Sequence, residues 1–192
     1  DAFIALYEVT IDEKWLQNAK HLTDYCFDSF FDEKTSFFTF TSKIDVPLIT
    51  THFETEDNVI PASNSVMANN LFKLGVYYHN PHYDTICREM LKQIIPNIDY
   101  PSGYSNWLNV FMNYSEQNKE LGICGENALK YISKINQKFL PNIVVAATKQ
   151  PTSLPFFKDR FVENQLLFYI CQNQSCLLPM TKFETVLEIL AV

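Results

Sequence analysis

A chain of 192 residues with 47% hydrophobic and 19% charged side chains has the balance of a globular protein long enough to bury a core. Its net charge of -7, with no basic cluster, argues against nucleic acid as a partner, because that affinity comes largely from Lys and Arg neutralising phosphates. Four glycines leave little for phosphate-cradling loops, and no apolar run reaches the roughly 20 residues that span a bilayer, so no membrane partner is expected.

The chain opens on Asp1-Ala2-Phe3-Ile4-Ala5-Leu6-Tyr7, which reads as helix interior rather than a charged-then-apolar leader. The expectation is a segment cut from a longer protein. An internal repeat follows. Leu6, Val9, Asp12 and Trp15 match Leu74, Tyr77, Asn80 and Tyr83 at one constant offset along the chain. Ala19, Leu22 and Cys26 match Cys87, Met90 and Ile94 at the same offset. In each copy a helix ends and an Asx residue able to cap the next helix follows; Pro81 suits the first helical position of the second copy. Trp15, Ala19, Leu22 and Cys26, and again Tyr83, Cys87, Met90 and Ile94, form apolar stripes at helical spacing. Two such hairpins predict a toroid or solenoid of helical pairs.

Between the copies the texture changes. Loose alternation over residues 36–53 (Phe38, Phe40, Leu48, Thr50, His52), with a turn at Lys43 to Pro47, predicts a β-hairpin or extended excursion. The polar run Glu54 to Ser65 then leads into a helix over Ser65–Tyr78, and another is predicted from Ser105 to Ser115. From residue 119 the pattern is α/β. Strands are expected at Leu121–Cys124, Ile143–Ala147 and Leu166–Cys171, with helices over 126–138 and 182–190, giving a parallel βαβ unit. The expected fold is therefore mainly α: residues 1–118 as the final hairpins of an (α/α) toroid, and 119–192 as a small α/β unit.

Four stretches resemble a known family. Ala5 to Thr10 with Asp12 to Leu16 is similar to its helix–turn–helix segment. Asp57 to Ser65 resembles its Asp-x-x-x-Pro-Ser-Gly-Asn-Ser motif, with Ser63 where that motif has glycine. Phe139 to Val145 is similar to its Tyr-Leu-Pro-Asn-x-Val-Val strand entry. Tyr169 to Asn173, with Cys176 and Pro179, resembles its closing Val-Cys-x-Asn-x-x-Cys-x-x-Pro signature. The family is that of spermatogenesis-associated-protein-like, thioredoxin-domain-containing proteins. The resemblance implies an α/α barrel akin to N-acylglucosamine 2-epimerase and six-hairpin glycosidases, preceded by a thioredoxin-like domain. A carbohydrate ligand and that N-terminal remainder are the implied partners, while the odd and scattered cysteines point to the cytoplasm; an incomplete toroid is further expected to self-associate through apolar helix faces.

Under that resemblance Asp57 and Glu54 are the candidate acid and base for sugar chemistry, with His52, Ser63, Asn64 and Ser65 as substrate contacts. The alternative is that Ser63 or Asn64 caps the next helix while Glu54 and Glu56 are solvated. Phe38 or Phe40 is the aromatic candidate for a ligand; Phe27, Phe30, Phe31 and Phe37 are read as core. His79 and His82 are read as surface turn residues and His21 as exposed. The five cysteines (26, 87, 124, 171 and 176) are expected to be reduced and mostly buried. Cys171 and Cys176 are the candidate redox pair, serving an attached thioredoxin-like domain in a noncatalytic scaffold. No metal, cofactor or reaction is assigned: the histidines lack ligand spacing, and Gly125 alone is no dinucleotide fingerprint.

Overall fold

The computed structural model describes residues 1–46, 50–114, 118–173 and 175–190. Pro47, Leu48 and Ser115, named in the expectations above, lie outside them. Seven α-helices and six strands are placed among the described residues.

The first hairpin joins α1 (Ala2–Thr10) to α2 (Lys14–Phe30) and the second joins α3 (Ser63–Tyr78) to α4 (Pro81–Ile94). Both turn through a left-handed residue, Ile11 at φ 53° and His79 at φ 47°, which occupy equivalent places in the repeat. Asp12 Oδ1 accepts from the Lys14 amide at 3.1 Å and Asn80 Oδ1 from the His82 amide at 3.0 Å. The duplicated Asx residues thus satisfy equivalent helix-start donors.

One stripe differs from expectation. Tyr83, Cys87, Met90 and Ile94 are all buried, as read. In the first copy the buried face is Leu16, Ala19 and Thr23, while Leu22 is 51% exposed. The reason is the neighbourhood: α4 packs on α3 and α5 (Ser105–Met112), whereas α2 packs on α1, α3 and a short strand pair. That pair is what forms of the predicted excursion. β1 (Phe31–Asp32) lies antiparallel to β2 (Phe37–Phe38), earlier and shorter than the alternation suggested. Beyond it the chain turns at 42–45, and the Phe40 amide donates to the His52 carbonyl at 2.9 Å without a further strand among the described residues there.

The remaining strands make one sheet in the order β4-β3-β5-β6. β3 (Lys119–Cys124) and β4 (Ile143–Thr148) run parallel, joined through α6 (Ala128–Ile135). β5 (Leu167–Gln172) returns antiparallel to β3, and β6 (Ser175–Cys176) pairs antiparallel with β5. Strand alternation sorts the side chains onto two faces. Leu121, Ile123, Phe168 and Ile170 pack against α6 and the closing helix α7 (Phe183–Leu190). Cys124, Val144, Ala146, Tyr169 and Cys171 join the main cluster with the hairpins, so that one core crosses residue 119. Position 122 lies on this second face too, and a Cβ there would meet the Phe156 ring at 2.9 Å, which is why glycine suits it.

Two tyrosines bolt the hairpins to the sheet. The Tyr7 hydroxyl donates to the Ala147 carbonyl and accepts from the Ala147 amide, both at 3.2 Å. The Tyr77 hydroxyl lies 3.0 Å from both the Val145 carbonyl and Glu8 Oε1, two acceptors for its single hydrogen. Lys73 completes the group by pairing with Glu8 at 2.8 Å. The rings meet edge-on with centroids 5.3 Å apart, and desolvation holds both hydroxyls above the ordinary tyrosine value. Tyr7→Phe should therefore lower stability by about 1–3 kcal/mol, the cost of leaving the Ala147 groups unpaired in a dry site. Urea denaturation should show the midpoint falling with its slope unchanged; an unchanged midpoint would show that the bond contributes nothing.

Candidate functional site

The Glu54–Ser65 segment folds into a hydrogen-bonded knot. Asp57 is only 5% exposed. Its Oδ1 accepts from the Ala62 amide at 3.0 Å and the Ser65 hydroxyl at 2.6 Å, and its Oδ2 from the Asn106 amide at 2.9 Å. Ala62 is the N-cap of α3 and Asn106 lies in the first turn of α5, so one carboxylate serves two positive helix ends. The Asp57 amide in turn donates to the Gly103 carbonyl at 2.7 Å.

Asn64, fully buried, accepts from the Phe38 amide at 2.8 Å and donates to the Phe38 carbonyl at 2.9 Å, copying a strand pairing with its amide group. Its Nδ2 also donates to the Glu54 carbonyl at 3.0 Å. Glu54 Oε2 accepts from the Ser63 amide at 3.1 Å and thereby caps α3. Ser63 itself is exposed, as is His52, which lies against the exposed Phe40 ring. Phe38 belongs to the core, which removes it from contact with a ligand. Of the six predicted site residues, Glu54, Ser63, Asn64 and Ser65 are thus gathered with Asp57 around the start of α3, while His52 lies apart. None of the six lines the cavity described next.

That cavity, of about 470 Å³, opens between α3, α4, the end of α5, β3 and the turn after β5. Phe72 and Val76 form an apolar wall, and His79, Asp84, Arg88, Tyr114, Asn118, Glu120 and Asn173 supply the polar lining. Arg88 Nε donates to Asp84 Oδ2 at 2.8 Å, and its guanidinium lies 4.1 Å from the centre of the Tyr114 ring. Burial first, and then the Cys87 thiol, pushes the Tyr114 hydroxyl well above the usual value. Burial, reinforced by Arg160, lowers the His79 pKa and favours a neutral imidazole. His79 Nε2 and Asn118 Oδ1 are buried atoms without a hydrogen-bond partner among the described residues.

His79 is thus a turn residue, as read, but a half-buried one whose Nε2 is withdrawn from solvent. Its left-handed backbone after α3 turns it toward the sheet, with its ring 6.2 Å from that of Phe156. Arg160, half-buried over the same Phe156 ring at 4.8 Å, has its pKa lowered by desolvation, an effect that Glu120 opposes. Sequence reasoning missed this site because its lining comes from segments far apart in the chain, with no motif among them. The one local signal was the Asx-Pro cap, which fixes where His79 must turn.

The cysteines divide. Cys26, Cys87 and Cys124 are free, and burial pushes the Cys87 and Cys124 thiols up to about 12. Cys171 and Cys176 are bonded to each other across the β5–β6 ladder, which corrects the expectation of five reduced thiols. Among the described residues no cluster of three or more His, Cys, Asp or Glu is placed to hold a metal, and no helix is long and apolar enough to cross a membrane.

The chain has relatives of one name. It is similar to human spermatogenesis-associated protein 20, at 26% identity over 195 residues. The rat protein of that name gives 26% over 195 residues and the mouse protein 25% over 189. Each match covers 92% of this chain and 24% of the relative, so the chain spans about a quarter of the length of the proteins it matches. No family model matches the chain. The similarity supports the family that the four motifs pointed to.

Removing the Asp57 carboxylate tests the knot. Asp57→Ala should cost about 2–3 kcal/mol, since two buried amide donors lose a charged acceptor. A thermal melt reads this directly. A variant that melts with the parent would contradict a structural role for the carboxylate.

Proposed function

We propose that this chain belongs to a helical-hairpin domain that binds a small polyhydroxylated ligand of the carbohydrate class, in the cavity between His79, Arg88, Asn118 and Glu120. One observation carries the reading: the cavity is lined by buried polar atoms, His79 Nε2 and Asn118 Oδ1, that no group among the described residues satisfies. Buried polar groups normally find partners, and hydroxyls that donate and accept suit such a mixed lining. The Phe72 and Val76 wall supplies an apolar surface for ring carbons.

In this reading Asp57 and Glu54 hold helix starts, and contact with the ligand falls to the cavity residues. The duplicated hairpin is the kind of unit an (α/α) toroid multiplies, and the relatives' greater length leaves room there for more such units. Kinship with sugar epimerases or glycosidases is a fold-level analogy and assigns no reaction. A second reading, a noncatalytic scaffold serving a thioredoxin-like domain, draws on the Cys171–Cys176 bond.

Titration calorimetry against a panel of mono- and disaccharides tests the first reading. Asn118→Ala should weaken binding about tenfold, the loss of one buried hydrogen bond. Absence of binding by every sugar, with the His79 and Asn118 resonances unmoved, would sink it.

The pH dependence has a definite sign. The folded state depresses the pKa of His79, so in the unfolded chain the imidazole takes up its proton at higher pH than in the folded one. The His79 contribution to stability should be flat above about pH 7 and decline as pH falls through the ordinary imidazole value near 6.5. His79→Gln should flatten that part of a melting-temperature profile; an unaltered slope would assign it to another group.

A further inference from the structure

We infer that the Cys171–Cys176 disulfide is a thiol-exchange site of fixed polarity, attacked at Cys176 and releasing Cys171. The two sulfurs differ in access. Cys176 is exposed on β6, the terminal strand of the sheet, whereas Cys171 is 1% exposed within the main core cluster. Thiolate attack proceeds in line with the S–S bond, so the approach to Cys176 comes from solvent, and the approach to Cys171 is blocked by packed side chains.

The step balances as R–SH plus the disulfide giving R–S–S–Cys176 and the Cys171 thiol. A second thiol then releases Cys176 as a thiol and leaves R–S–S–R. Cys171 stays in register with Cys176 across the β5–β6 ladder, so its thiol is held beside the mixed disulfide and re-attacks it. Monothiols are therefore returned, and a dithiol, whose second sulfur competes within the same molecule, drives reduction through. The reductant class that this site selects is a dithiol.

The exchange reaches the polar cavity. Asn173, between the two cysteines in sequence, lines it, as does Glu120, which pairs opposite Cys171 on β3. Reduction removes the covalent tie across a two-residue strand and loosens that wall. This last link rests on the ligand reading above, whereas the polarity of exchange does not.

The test uses protein purified without reductant. Alkylation after denaturation should count three thiols before, and five after, incubation with dithiothreitol; glutathione at equal thiol concentration should leave the count near three. Acid-quenched peptide mapping during the glutathione reaction should place the adduct on Cys176 at least tenfold over Cys171. With oxidised glutathione in place of glutathione, the free Cys176 thiol of Cys171→Ser should take one half as a stable mixed disulfide and release the other as glutathione, and Cys176→Ser should carry none at buried Cys171. Five thiols at the outset, equal adducts at the two sites, or complete reduction by glutathione would each overturn the proposal. Wild-type mapping decides the matter even if a variant fails to fold. Where no sugar binds but the adduct maps to Cys176, the ligand reading fails and the exchange site stands.

Discussion

The molecule depends on the contact by which Tyr7 and Tyr77 reach from two helices into the backbone of one strand. Helical hairpins and a sheet have different periods, and apolar packing alone would let one slide over the other. Two phenolic hydroxyls seated on Val145 and Ala147 remove that freedom, because a hydroxyl that misses its partner is left dry and unpaired. Their edge-on rings also tie α1 to α3, and Glu8 with Lys73 closes the group from the outside. Everything placed by the relation of hairpins to sheet, including the polar cavity, inherits its geometry from this seat.

Asp57 does comparable work at the other end of α3. A carboxylate between the starts of α3 and α5 fixes the angle of two helices with one side chain, and Asn64 fastens the same region to β2. Acidic and amide side chains gathered before a helix are what a sugar site would also contain. Chemistry and capping draw on the same residue types, since both need oxygen atoms held at known positions. What separates them is whether those oxygens retain capacity for a ligand. At Asp57 they accept three protein donors; at Asn118 the side-chain oxygen has none among the described residues.

Much of the fold was legible because it is written locally. The repeat that aligns Asp12 with Asn80 predicted both hairpins, with Asn80 the cap of α4 and Asp12 one place before the Glu13 cap of α2, and the change of texture near residue 119 located β3, α6, β4, β5 and α7 to within a few residues. Leu22 was misread because a stripe reports which residues are apolar, not which neighbour is there to cover them. The excursion and its turn fall where they were read, but its strand pairing lies earlier, because Phe31 and Phe38 pair across a tight turn while the alternation downstream has no partner strand among the described residues. Glu54 and Asp57 were found but their role was not, since the Asn106 amide that decides it lies far along the chain. The cavity could not be read at all: Phe72, Arg88, Asn118 and Asn173 share nothing but proximity in space. The disulfide needed register, which spacing alone does not supply.

The seating of the tyrosines on β4 has a consequence for how this protein meets copies of itself. β4 is one border of the sheet, and an open border offers a template for strand addition by another molecule. Here the Val145 carbonyl and both backbone groups of Ala147 are already engaged by tyrosine hydroxyls, so that border is obstructed from within. The opposite border, β6, has only two residues, and Pro179 shortly beyond brings no amide hydrogen to a new ladder. The sheet is thus obstructed on one side by aromatic hydroxyls and abbreviated on the other. Edge-to-edge pairing is discouraged at both borders without recourse to a charged strand.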